Sequence, residues 1–489
     1  MVRTLVLFAS LAAAVAPAAG PPLAVHPDNP HYFVFRGKPA ILVTSGEHYG
    51  AVINRDFVFT RYLDTLAKSG FNLTRTFVGS YVEVPGSFNI TGNTLAPAPD
   101  RYLAPWARSE QPGAADGLTK YDLTKWNEAL FTRLRDFVMQ ASKRGIVVEV
   151  NLFTPMYEDR LWAVNPMNAQ NNVNGIGAVK RDEVFTLKDP QLTWAQDTLT
   201  KKVVQTLLDA DNIYYEVCNE PYFGGITQEW HRHIARTISE AESSLEHKHL
   251  ISWNVANGSV KVKDPDPLIS VFNFHYSFPA DSVAMNYGLK RPIGNNETGF
   301  AGIDDSIYRV QAWDFLLAGG ALFNNLDYSF TIGNEAGTFA PLPARQPGGG
   351  SVTLRRQYRD LIDFFKGVDL VQLRPMPEAV KSAKPGGNVR VLAEPGRTYL
   401  VYVYHGQPVE TEGGNKFKLE GGNRETTLTL ELQAGQYAAT WLDTKTGSKL
   451  GTERFKHAGG PKELVSPEYT EDIALKIVSR QQPSPQAGL

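Results

Sequence analysis

A single cysteine, Cys218, occurs in 489 residues, which excludes a disulfide framework within the chain. An excess of either charge is also missing: 49 Lys and Arg stand against 51 Asp and Glu, for a formal net charge of −2. With no basic block and no acidic tail, nucleic acid binding is not expected, nor is a charged arm for a partner protein. Long apolar runs are absent beyond the N-terminus, and the one found there falls short of the ~20 residues a spanning helix needs, so membrane insertion is not expected. What the chain does have is core material, 42% hydrophobic and 11% aromatic, enough for a large globular protein.

The N-terminal run reads as a targeting segment. Arg3 precedes apolar residues 5–15, and Ala16, Ala18, Ala19 and Gly20 supply small residues for cleavage. Residues 1–20 are therefore expected to be a signal peptide, and the protein to be secreted or periplasmic. A monomer is expected. Asn72, Asn89, Asn257 and Asn296 each open an N-x-Ser/Thr triplet, read here as chance.

From about residue 32 to residue 365 short apolar runs alternate with stretches of helical period, the pattern of repeated βα units. A hairpin around Arg36-Gly37 leads into a first strand at 41–43. Phe59, Tyr62, Leu63 and Leu66 then form a helical stripe that Ser69-Gly70 ends. Further strands are expected at 71–77, 146–153, 213–218, 249–253, 269–274, 292–295 and 321–326. Eight strands and a closing helix near 356–365 predict a (β/α)8 barrel over residues 21–380. An open doubly wound sheet would carry a Gly-rich phosphate turn after its first strand, and Thr44-Ser45-Gly46-Glu47-His48 is not one. After Lys384-Pro385-Gly386-Gly387 the apolar period changes to two, with strands at 399–404, 425–432 and 437–441, so a small all-β sandwich is expected over 381–480. The Gln/Pro/Ser-rich residues 481–489 are expected to be a disordered tail.

In a barrel, chemistry gathers where strands end. The strand Tyr214-Tyr215-Glu216-Val217-Cys218 ends in Asn219-Glu220-Pro221, and the later strand Pro292-Ile293-Gly294-Asn295-Asn296 ends in Glu297. As ends of the fourth and seventh strands, Glu220 and Glu297 face each other across the barrel mouth. Two such carboxylates are what glycosidic cleavage requires, one to protonate the departing oxygen and one to support the cationic sugar carbon. A cation beside Glu297 would keep it ionised, and the neighbouring negative charge is expected to raise the proton affinity of Glu220.

These strand ends resemble those of the clan A glycoside hydrolases, of which family 5 is the nearest familiar group, and the resemblance covers about residues 32–365. It implies a retaining barrel enzyme without a cofactor, with Glu220 as acid/base and Glu297 as nucleophile. It further implies Asn219 on the sugar 2-hydroxyl, Arg75 paired with the nucleophile, and a carbohydrate as the partner. Where that family commonly has a His after the third strand, this chain has Asn151; where its sixth strand tends to end in His-x-Tyr, His275 and Tyr276 are adjacent. Neighbours on an extended strand point to opposite faces, so only one of that pair, His275 first, is expected in the pocket unless the strand has already ended. Tyr328 is the only aromatic near the eighth strand end to replace the usual Trp floor. His48, with Glu47 and Tyr49, is a further candidate at the first strand end, and Tyr102, Trp106, Tyr157 and Trp162 are loop aromatics that could stack on sugars. His231 and His233 are two apart on a helix and point away from one another, so no metal site is expected. The same residues would also suit a carbohydrate-binding barrel without turnover, or a transglycosylase.

Overall fold

The computed structural model of the chain describes residues 20–411 and 414–480. The signal-peptide reading of residues 1–19 and the tail reading of 481–489 lie outside the described residues. Eight parallel strands form the barrel: β1 Leu42–Gly46, β2 Leu73–Phe77, β3 Val147–Phe153, β4 Ile213–Cys218, β5 Ile251–Asn257, β6 Val271–His275, β7 Ile293–Glu297 and β8 Leu322–Leu326. They pair in the order β1-β8-β7-β6-β5-β4-β3-β2. The ring closes between β1 and β2 without a regular ladder. There the Asn72 side chain accepts from Val43 N (2.9 Å) and donates to Ile41 O (2.8 Å), replacing the missing backbone bonds.

Besides a short helix at Asp159–Ala163, the helices are α1 Phe59–Lys68, α2 Glu128–Lys143, α3 Pro190–Leu207, α4 Gln228–Ala241, α5 Asp281–Asn286, α6 Asp305–Leu317 and α7 Val352–Phe364. α3 starts where Asp189 accepts from Gln191 N and Leu192 N, with Pro190 at the first helical position. Seven barrel strands are buried along their whole length, as strands between a core and a helix layer must be. β5 is the exception, and no helix lies between it and β6.

The bottom of the barrel is plugged. Phe33–Phe35 and Lys38–Ala40 form the expected hairpin, turned through Arg36 (φ 50°) and Gly37 (φ 74°), a pair of left-handed residues that suits the strand twist. Leu23, Tyr32 and Phe33 then pack under Leu42, Leu73, Val147 and Leu322. Access is left at the other rim, where the strands end.

Beyond residue 373 the described residues form strands, apart from a short 3-10 helix at Pro377–Ala379: β9 Val380–Lys384, β10 Asn388–Glu394, β11 Thr398–Tyr404, β12 Gly406–Thr411, β13 Gly414–Leu419, β14 Thr427–Leu432, β15 Gly435–Leu442, β16 Lys449–His457, β17 Gly460–Val465 and β18 Asp472–Ser479. A six-stranded sheet, containing β10-β11-β18-β15-β16, faces the three-stranded sheet β9-β14-β17, and β12-β13 is a separate hairpin. Period two decides how this sandwich docks. On β11, Tyr399, Val401 and Val403 join the core between the sheets, while Leu400, Tyr402 and Tyr404 join the barrel core. Their partner is α6, which is buried on every side from Ile307 to Leu317, as a helix clamped between two layers must be. Trp313 stacks on Tyr402 at 5.4 Å, Arg309 donates to Asp472 (2.7 Å), and Arg390 donates to Asp314 (2.6 Å).

The Arg309–Asp472 pair is almost wholly buried, and removing Asp472 would leave Arg309 only Glu471, at 3.7 Å. Asp472→Ala is expected to destabilise the protein by about 3 kcal/mol, measured by chemical denaturation. A loss under ~1 kcal/mol would mean that the interface does not depend on this pair.

Candidate active site

Glu220 and Glu297 meet at the open rim. One oxygen of each carboxylate and one His275 nitrogen lie within 4.8 Å of one another. The two carboxylates stand in a cavity of about 300 Å³ whose walls are largely aromatic, among them Tyr81, Phe88, Tyr157, Phe223 and Phe300.

Glu297 is surrounded by donors. Its Oε2 accepts from Tyr49 OH (2.8 Å) and Arg75 Nη1 (3.2 Å), its Oε1 accepts from Tyr276 OH, and His275 Nδ1 is 3.5 Å from Oε1. Glu220 Oε2 accepts from Tyr157 OH (2.5 Å), while its Oε1 accepts from Tyr222 OH (3.2 Å) and faces His275 Nδ1 at 3.2 Å. Burial pushes the Glu220 carboxyl up, but His275 and the two phenols outweigh it and hold the group below its ordinary 4.5. This is the reverse of the raised affinity expected from the sequence, because donors surround Glu220 more closely than the other carboxylate does.

Of the adjacent pair it is Tyr276 that lines the cavity; His275, expected there first, is fully buried behind the two carboxylates, which its Nδ1 reaches at 3.2 and 3.5 Å. β6 stops at His275, and Tyr276 has φ 51°, so the chain turns where alternation would have aimed the phenol outward. Glu220 (φ 39°) and Tyr49 (φ 59°) sit at their strand ends in the same left-handed conformation. Such backbone costs of order 1 kcal/mol per residue, and here it aims three pocket side chains. The tight path of the Tyr49 loop also needs Gly50, since a Cβ there would lie 2.2 Å from the Thr94 backbone.

Arg75, fully buried, ties the floor together. Its Nη2 donates to Asn219 Oδ1 (2.7 Å) and to Glu216, its Nε donates to Glu216 Oε2 (3.0 Å), and Glu149 Oε2 is 3.7 Å away. This fixes the Asn219 amide with Nδ2 outward, donating to Tyr157 OH (2.8 Å). Glu149 Oε1 accepts from Asn296 (2.8 Å) and Asn273 (3.0 Å), and burial followed by repulsion from Glu216 pushes this carboxyl well above the usual range. The guanidinium therefore faces Glu216 and Glu297 most closely, with Glu149 further off.

The other sequence candidates divide. His48 lines the pocket with Nε2 3.3 Å from Glu83 Oε1; burial lowers its proton affinity, but Glu83 and then Glu297 and Glu47 raise it above the ordinary 6.5. Asn151 is not brought to the cavity: its amide donates to Phe153 O (2.9 Å) and Thr154 Oγ1 (3.1 Å), spent on the end of its own strand. Tyr328 does not form a floor either, being buried behind His48 and Phe300. Glu47 accepts from Gly50 N and Ala51 N and shapes the loop that carries Tyr49. Of the loop aromatics only Tyr157 reaches the carboxylates, while Trp106 and Trp162 are core residues. Cys218 is buried, as a small core residue should be.

Residues 90–181 match a family described as a domain of unknown function (DUF6298), a stretch that includes α2, β3 and Tyr157. No curated protein matches the chain in sequence. In structure the chain is similar to a glycoside hydrolase family 5 protein from Bacteroides vulgatus ATCC 8482, with a TM-score of 0.61 and 13% identity, over 96% of each chain. The fold is that of the family 5 glycoside hydrolases. A second solved structure described as a glycoside hydrolase is similar at a TM-score of 0.58 and 12% identity, over 94% of this chain and 97% of that one. Identities this low carry the family 5 fold alone, and the roles of residues rest on the geometry above.

The two floor carboxylates should respond differently to an isosteric change. Glu149→Gln keeps an acceptor where burial already disfavours the charge and is expected to cost less than ~1 kcal/mol. Glu216→Gln removes the charge held by Arg75 and is expected to cost about 3 kcal/mol. Equal losses in denaturation would contradict an unequal charge on the two carboxylates.

Proposed function

We propose that the protein is a retaining O-glycoside hydrolase acting on a poly- or oligosaccharide, with Glu297 as nucleophile and Glu220 as acid/base. The observation that carries this reading is the approach of the two carboxylates to within 4.8 Å across an aromatic pocket. Retaining enzymes hold such groups about 5 to 5.5 Å apart, whereas inverting ones need ~6.5 Å or more to seat a water between them.

The donor sets support the division of labour. Glu297 has a guanidinium and two phenols on its oxygens, which hold it in place facing the cavity and suit it to attack the anomeric carbon. Attack forms the Glu297–sugar ester as the glycosidic C–O bond breaks, and the leaving oxygen takes the proton from Glu220. Glu220 then draws a proton from water, whose oxygen adds to the same carbon and releases Glu297. Asn219, oriented by Arg75, presents its amide donor toward the sugar beside these groups. Export, proposed from residues 3–20, would place the enzyme with extracellular or periplasmic carbohydrate.

Glu297→Gln is expected to lower turnover by about a thousandfold or more with the melting temperature nearly unchanged. Azide should rescue Glu297→Gly, and NMR should show the first-formed anomer keeping the configuration of the substrate. An unaltered rate in the Gln variant, or an inverted first product, would reject the assignment.

The pH dependence has a definite sign. Glu220 must start protonated, and its donors hold it below 4.5, so kcat/KM in the free enzyme should fall on the acid side of neutrality as the pH rises. Tyr157→Phe removes one donor and raises Glu220, moving that alkaline limb upward. A limb that stays fixed or moves down would show that another group titrates.

A further inference from the structure

The pocket does not end at Tyr276 and Phe300. Both also line a second cavity of about 560 Å³, which runs between the loops after β6 and β7 to the β12–β13 hairpin of the sandwich. On the barrel side it is bounded by Phe278, Asp304, Ile307 and Gln311, and on the sandwich side by Phe417, Lys418 and Leu419. We infer that this groove is a continuation of the substrate site, taking further units of a neutral oligosaccharide, and that the C-terminal sandwich contributes its outer wall. The inference rests on the glycosidase reading and adds to it a preference for extended chains and a task for the C-terminal domain.

Three features point to a sugar chain. Phe300 stands at the junction with 40% of its surface exposed, held edge-on by Tyr276 (5.8 Å) and Tyr328 (6.4 Å), so a rigid ring is offered to solvent where a second sugar face would lie. Gln311 is buried to 8% exposure and lines the groove, yet its Oε1 has no hydrogen-bond partner, an acceptor waiting for a donor such as a hydroxyl. Among the described residues the charged lining is one Asp and one Lys, which balance, so an anionic sugar has no special claim on it.

The wall is also fixed in place. Phe417 packs on Phe278 at 4.5 Å and lies 6.0 Å from Tyr404, whose strand β11 is stacked on α6 through Tyr402 and Trp313. Ile307 and Gln311 belong to that same helix, so one element lines the groove and anchors the domain that closes it. A crevice left over from domain packing would need none of these groups, and the experiment has to separate the two cases.

The wild-type protein, Phe417→Ala and Gln311→Leu are to be compared on an aryl monoglycoside and on oligosaccharides of two to six units of whichever sugar a substrate panel shows to be cleaved. The expected result is a loss of kcat/KM that grows with chain length, reaching about tenfold (~1.4 kcal/mol) on the longest, in both variants. A loss of the same size at every length, or none, would overturn the groove. The Gln311 variant keeps the test alive should the Phe417 variant fail to fold, as its melting temperature would reveal. If the panel shows no turnover, the same oligosaccharides are titrated calorimetrically into wild type and variants. Affinity that rises with length and is lost in the variants would uphold the groove while the hydrolase reading falls; no binding at all would overturn both.

Discussion

The site depends on where one buried guanidinium is held. Arg75 has no solvent to share its charge, so its position is set by the acceptors around it: Glu216, Glu297 and the Asn219 amide. A buried charge without partners would cost several kcal/mol, and that penalty is what makes the arrangement specific. Because the guanidinium takes the oxygen end of Asn219, the nitrogen end must face the pocket. Because it also takes Glu297 Oε2, that carboxylate is directed at the cavity from below. Cation and carboxylates thus form a unit whose geometry is settled by the barrel floor before any substrate arrives.

The rim adds what the floor cannot. Floor side chains come from strands whose residues alternate, so their positions fall mostly at intervals of two, the register shift at Asn296 on β7 apart. The pocket groups Tyr49, Glu220 and Tyr276 escape that rule by adopting left-handed backbone where their strands stop. Adjacent residues, such as His275 and Tyr276, can then both approach the two carboxylates. The aromatic walls exclude water, and in a drier cavity each of these hydrogen bonds and charges acts more strongly.

This division explains what could be read from the sequence. Eight apolar runs, a hairpin and a change to period two were enough for the barrel and the sandwich, since each follows from local pattern. Glu220, Glu297 and Arg75 were legible as charged residues at strand ends. Glu149 and Glu216 were overlooked although the signal was present: a carboxylate inside Val148-Glu149-Val150 or Tyr215-Glu216-Val217 cannot lie in a barrel strand without a buried partner. Tyr222 belongs to a different class, because its approach to Glu220 depends on the course of the loop after β4, which no periodicity encodes. Asn151 misled for the related reason that a strand-end amide can satisfy itself on its own backbone. The direction of the Glu220 shift was likewise out of reach, since it depends on three donors from three separate loops and strands.

The C-terminal sandwich follows from the same physics at larger scale. A six-stranded sheet has two faces, and its three-stranded partner covers only one. The remaining apolar face, with Leu400, Tyr402 and Tyr404, has to be buried against the barrel. The helix it meets is α6, whose all-round burial makes it a poor solvent-facing barrel helix and a good filler between layers. α6 directly follows the loop that leaves Glu297 and carries Phe300. A domain docked on that helix therefore bears on the segment connected to the proposed nucleophile, so the attachment that satisfies an apolar sheet also fixes one side of the pocket.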